Sequence, residues 1–189
     1  LTGNLNVAFW GCLICYLILL LGSVCRVIRQ YPANNDIIHS VSGKVFNKYF
    51  WGFLLTYAAF TIFTYGMKVH EWDEFSHWGT VVKAMFYTDR WGCSAEADCP
   101  FGYYMPGMAL FQLFVVKLEA VFGHRFSEWL LYFAYDMFIV SFILPCISAI
   151  AGKRKKTFLY GTFLILPFCF FNNCFHSLLI DPAIAVIAG

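Results

Sequence analysis

Asn6 to Val24 is a run of about 19 mostly apolar residues, and comparable runs follow at about 49–65, 127–151 and 157–174. A helix needs about 20 such residues to cross the hydrocarbon of a bilayer, so each run is read as a membrane span, and residues 178–189 as the start of another. The expected fold is therefore all-α, a polytopic membrane helix bundle. Composition supports this class: 13% of residues are charged, where a soluble domain carries roughly 25%. Twenty-two Phe, eleven Tyr and six Trp add the aromatic excess found where side chains meet headgroups. The net charge of +2 gives no case for nucleic acid, because the basic residues are sorted by loop rather than spread over one face. The chain starts at Leu1 and stops within the apolar IDPAIAVIAG, so it reads as a piece of a longer protein.

Charge sorting sets the expected topology. Arg26, Arg29, Lys44 and Lys48 follow the first run against one acid, Asp36, and the KRKK cluster Lys153 to Lys156 follows the third. Basic loops mark the cytoplasmic side. The long polar stretch 66–126 holds Glu71, Asp73, Glu74, Asp89, Glu96, Asp98 and Glu119 and is read as an outer loop. Within it, helices are expected at about 72–88 and 105–122, both lying in the interface. The second is apolar enough to suggest a crossing, but Lys117 and Glu119 cut the run short. If it crossed, the KRKK cluster would fall outside, against the other basic loops.

The first of these helices carries the chemistry. In WDEFSHWGTVVKAMF, Phe75, Trp78, Val82, Met85 and Phe86 form one helical stripe, which is expected to face the lipid boundary. Asp73, Ser76, His77, Thr80 and Lys83 fall on the opposite side. Cys93 and Cys99 bracket SAEAD in the same loop, and on the outer side of a membrane such a pair is expected to form a disulfide. Cys12, Cys15, Cys25, Cys146, Cys169 and Cys174 sit in or beside apolar runs and are read as small hydrophobes, not metal ligands. Asp136, inside the third run, either walls a substrate cavity or hydrogen-bonds a Tyr or Thr of another helix. His70, His124 and His176 are read as interfacial hydrogen-bonders.

The acidic pair Asp73-Glu74, the turn Tyr104-Met105-Pro106-Gly107, the KRKK run and Asp181 in LLIDPAIA occur in an order that resembles the type C membrane glycosyltransferases. Protein O-mannosyltransferases and lipid A aminoarabinose transferases belong to that superfamily. The resemblance covers roughly 49–189. In the family an acidic dipeptide opens a first juxtamembrane helix, a Pro-rich turn opens a second, and an Asp sits at the outer end of a later span. This chain departs from the pattern in its Cys93–Cys99 insertion and in having one proline in the turn where relatives often have two.

The resemblance implies a transferase that moves a sugar from a polyprenyl-phosphate donor to a glycan, lipid or protein acceptor on the outer or lumenal side. Such transfer needs a base for the acceptor's proton and groups that stabilise the departing phosphate. Asp73 is the expected base. Glu74, about 100° further round the helix, orients or binds acceptor. Lys83, with His77 or Arg90 as alternatives, faces phosphate, and Tyr104, Pro106 and Asp181 complete the substrate site. No cofactor is implied, although paired carboxylates beside a histidine can hold a divalent ion. The location implied is a bacterial plasma membrane or the endoplasmic reticulum. The competing class is a transporter or channel with Asp73, Asp136 and Asp181 as a proton or cation relay. A scaffold without chemistry would explain the apolar runs but not the polar stripe.

Overall fold

A computed structural model describes residues 4–30, 48–97, 99–101, 104, 107–149, 152, 154–159, 161–162, 177–179 and 181–188. Among them there is no strand. The helices are α1 (Leu5–Gln30), α2 (Lys48–Thr64), α3 (Gly79–Thr88), α4 (Gly107–Val121), α5 (Trp129–Ala149) and α6 (Asp181–Ala188). A π-turn over Glu74–Trp78 leads into α3, and a 3-10 turn over Ala95–Ala97 follows it. Three expected helices, at 6–24, 49–65 and 127–151, therefore appear as α1, α2 and α5. Most of the run at 157–174 lies outside the described residues, as do Pro106 and His176.

Among the described residues, α1 is the one helix long and apolar enough to cross a membrane, while Phe50–Thr64 and Trp129–Ile143 are shorter apolar helices. Leu5 and Phe9 at its start are buried, but beyond them Ile14, Tyr16, Leu17, Ile18, Leu19, Leu20 and Leu21 are exposed on every side. A helix apolar all round and bare of protein suits lipid, not water.

The core lies among α3, α4 and α5. Val82 and Met85 from α3, Leu113 and Val116 from α4, and Leu131, Tyr132 and Tyr135 from α5 form one cluster, joined by Leu178 and Ala183 from the chain around α6. The helix α4 spans 15 residues, or about 22 Å at 1.5 Å per residue, short of a bilayer core. It is fastened at two interior positions. Gln112 is buried and its Nε2 donates to the Leu131 carbonyl at 3.1 Å, and Lys117, only 6% exposed, holds Asp89 Oδ1 at 3.1 Å and also donates to Asn6 Oδ1.

Asp89 closes α3 in the left-handed conformation, with φ of 56°, which Asp tolerates better than most residues because its short polar side chain bonds locally. Its Oδ1 also accepts the Asn6 backbone N–H at 2.7 Å, capping the start of α1. One carboxylate thus joins α1, α3 and α4. Asp89→Ala leaves the buried Lys117 ammonium with the neutral Asn6 carboxamide as its partner and is expected to cost about 3 kcal/mol, the low end for a broken buried pair, because Asp89 keeps some water. Lys117→Met, which leaves a carboxylate that can reach water, should cost less; thermal unfolding of the two variants compares them directly.

Candidate functional site

The helix expected at 72–88 is interrupted by the π-turn, and the interruption builds the site. A π-turn accommodates an extra residue in the helix and so re-phases every side chain around it. Thr80 Oγ1 donates to the Phe75 carbonyl five residues back, in keeping with that turn. After it, Val82 and Met85, expected with Phe75 at the lipid boundary, point with Val81 into the protein core, whereas Phe75 is 57% exposed. Two polar side chains go inward instead: Glu74 at 0% and His77 at 4% exposure.

Glu74 does not line a cavity. Its Oε2 accepts the backbone N–H groups of His70 and Glu71, each at 3.2 Å, and the Tyr132 hydroxyl at 2.6 Å. Its Oε1 accepts the Leu178 N–H at 2.8 Å. Tyr135, one turn further along α5, donates to the Leu179 carbonyl. The carboxylate expected to orient acceptor is thus an internal tie that holds the 70–74 turn, α5 and the 177–179 segment together. That tie brings Asp181 beside Asp73, 108 positions apart in the sequence.

Asp73, Ser76, His77, Trp78, Phe101, Tyr104, Leu179 and Asp181 line one cleft of about 230 Å³. Four of the expected site residues, Asp73, His77, Tyr104 and Asp181, meet there. Asp73 and Asp181 are exposed within it. One wall is aromatic: Tyr104 stacks between Trp78 (centroids 5.7 Å apart, planes at 17°) and Phe101 (5.5 Å, 12°). The His77 ring meets the Tyr104 ring at right angles, 4.8 Å away. Phe101 was not singled out by the sequence; it belongs to no periodic segment, and only the packing of the loop onto His77 places it here.

His77 Nδ1 is buried and has no hydrogen-bond partner among the described residues. Burial pushes the His77 pKa below its ordinary value, since stripping water from the ring penalises the imidazolium. The ring is therefore neutral at pH 7. The sign for stability follows: below about pH 6.5, the ordinary histidine value, the unfolded chain binds a proton that the folded chain resists, so stability is full above that pH and falls as pH drops. A melting temperature that declines from pH 7 to pH 5, and declines less in His77→Gln, is the expected result.

Lys83 and Arg90 do not reach the cleft. Lys83 is exposed and lies 3.9 Å from Glu128, an arrangement that contributes at most about 1 kcal/mol, and Arg90 is exposed beyond the end of α3. No basic side chain is among the residues lining the cleft, so the phosphate role expected of these two has no geometric support there. Among the described residues, no group of three His, Cys, Asp or Glu side chains could hold a metal ion.

The expected disulfide is not formed. Cys93 is exposed to solvent, and the chain turns away through Ala95–Ala97 so that Cys99 packs against the core and its Sγ donates to the Ala97 carbonyl at 3.4 Å. With every cysteine except Cys93 and Cys99 replaced, Cys93 should react with a polar maleimide in the untreated folded protein at the rate seen after reduction. A rate that rises only after reduction would contradict this arrangement.

Asp136 is fully buried, and neither carboxyl oxygen has a hydrogen-bond partner among the described residues. The expected tie to a Tyr or Thr is absent from that set: Tyr132 and Tyr135, on its own helix, are turned to Glu74 and Leu179 instead. His70 and His124 do bond at the surface, with Nδ1 3.3 Å from the Tyr132 hydroxyl and 2.5 Å from Glu119 Oε1 respectively. No protein-family model, curated protein or solved structure matches the chain.

Proposed function

We propose that this chain is part of a polytopic membrane glycosyltransferase of the type C kind, which moves a sugar from a polyprenyl-phosphate donor to an acceptor at its outer or lumenal face. The observation that carries the reading is the meeting of Asp73 and Asp181 across one cleft with an aromatic wall. Carboxylates accept hydrogen bonds from sugar hydroxyls, and aromatic faces cover the apolar C–H faces of a pyranose. Asp73, exposed on the cleft wall, is the base that takes the acceptor proton as the acceptor attacks the anomeric carbon and the lipid phosphate departs. Asp181 and His77 orient hydroxyls, Tyr104 supplies the platform, and Glu74 positions the carboxylates through the backbone.

Among the described residues no Lys or Arg lines the cleft, which makes it the sugar and acceptor end of the site, with the lipid phosphate held beyond the described wall. The exposed apolar surface of α1 supports a membrane setting, and the KRKK cluster a cytoplasmic end opposite the cleft. The relay alternative draws on one observation, the buried Asp136. The two readings separate in one experiment on the full-length protein in nanodiscs and proteoliposomes. Transfer of labelled sugar from a polyprenyl-phosphate donor supports the transferase. Proton or cation flux through the proteoliposomes, without transfer, refutes it.

A further inference from the structure

The cleft has a sign. Among the described residues its wall carries two exposed carboxylates, Asp73 and Asp181, and no Lys or Arg, and the sequence extends that statement to the flanking segments. Residues 69–82, 91–116 and 157–189, which hold every lining residue, contain no Lys or Arg, while Glu71, Glu96 and Asp98 add acids. The aromatic wall has the matching character, because the faces of Trp, Tyr and Phe carry negative quadrupole density and attract cations within about 6 Å. His77 adds a buried, unpartnered nitrogen at the same wall. Among the described residues Asp73, His77 and Asp181 share the cleft without gathering as a metal-ligand set. An organic cation fits, because it can lie against rings while its N–H groups reach carboxylates and an imidazole.

We infer that the cleft is an ammonium subsite, built to take the positively charged amino group of its substrate. Asp73 and Asp181 accept the N–H hydrogen bonds, Tyr104 with its stacked neighbours covers the carbon skeleton, and the neutral His77 ring adds an acceptor without adding positive charge. Two sources carry that chemistry: an amino sugar, or the ammonium headgroup of a membrane lipid. The inference deepens the transfer reading by naming what the cleft selects, and rests on it only in treating the cleft as a substrate site.

The test is equilibrium binding to the full-length protein in nanodiscs of neutral lipid, with no transfer required. Glucosamine and ethanolamine are the cationic probes, glucose the neutral control and glucose 6-phosphate the anionic one. At least one cationic probe should bind about tenfold or more tightly than glucose, and the tighter of the two identifies the source. The preference should shrink with added salt and in Asp73→Asn, Asp181→Asn and Tyr104→Ala. These three side chains are exposed or part-exposed, so the variants should fold, and an unchanged melting temperature verifies it. Equal affinity for glucose and both amines, tighter binding of glucose 6-phosphate than glucose, or an amine preference untouched by all three variants would overturn the inference. Amine binding without any sugar transfer would refute the transferase reading alone, and transfer with no amine preference would refute this inference alone.

Discussion

Asp73→Asn is expected to lower sugar transfer by about 10² to 10⁴-fold while leaving the melting temperature of the protein unchanged. The amide keeps the size and much of the hydrogen-bonding capacity of the carboxylate but cannot take a proton. Asp73 is exposed, and among the described residues its carboxylate has no structural hydrogen bond to lose, which is why the effect should fall on turnover. Binding of the polyprenyl-phosphate donor, measured separately, should persist, because the proposed arrangement holds the lipid phosphate away from Asp73. Wild-type turnover in Asp73→Asn would remove this residue from the mechanism.

Glu74→Ala should show the opposite signature, a loss of stability from which the loss of activity follows. Removing the carboxylate takes the acceptor from the Leu178, His70 and Glu71 N–H groups and leaves the Tyr132 hydroxyl the longer bond to the Lys68 carbonyl, at 3.3 Å. Orphaned buried donors cost about 1 to 3 kcal/mol each, and part of that is recovered because an unneeded buried charge is also gone. A net loss of about 3 to 5 kcal/mol, the usual range for breaking a buried ionic network, is the expected result in thermal unfolding. Glu74→Gln should lose less, yet more than a surface change. One amide oxygen can replace Oε2, but the NH₂ then faces the Leu178 N–H, donor against donor. Tyr132→Phe, which removes only the hydroxyl, should lose about 1 to 2 kcal/mol. An unchanged melting temperature in Glu74→Ala would mean that the tie does not hold the 177–179 segment in place.

The contrast between these neighbours shows what the sequence can convey. Of the polar stripe Asp73, Ser76, His77, Thr80 and Lys83, legible because each is polar in apolar company, the first three line the cleft and the last two do not. The direction of Glu74 was not legible, since a regular helix turns it about 100° from Asp73, and only the π-turn carries it into the core. Nothing in WDEFSHWG announces an extra residue per turn. The stripe expected at the lipid boundary is split for the same reason: Phe75 is exposed, while Val82 and Met85 turn with Val81 into the protein core.

Lys117 teaches a related lesson. In the sequence Lys117 cuts an apolar run short of a crossing, and the shortness of α4 agrees with that, but the ammonium itself is buried against Asp89 and Asn6. Partners 28 and 111 positions away are invisible to a local reading. The same is true of Tyr132 and Tyr135: in LLYFAYDMF they look like the aromatic filling of an apolar helix, and only their hydroxyl partners reveal that they position the site. Cys93 and Cys99 were close enough in sequence to pair, and the 3-10 turn between them sends one thiol to solvent and the other to the core.

Photolabelling tests the central claim most directly. A polyprenyl-phosphate donor with a diazirine on its sugar should, on illumination with the full-length protein in nanodiscs, label peptides containing Ser76 to Trp78 and Phe101 to Tyr104. Excess unlabelled donor should abolish that labelling, and Asp73→Asn should retain it. Competed labelling that falls instead on the chain around Arg154 to Phe158, or that is absent from both cleft peptides, would contradict the account.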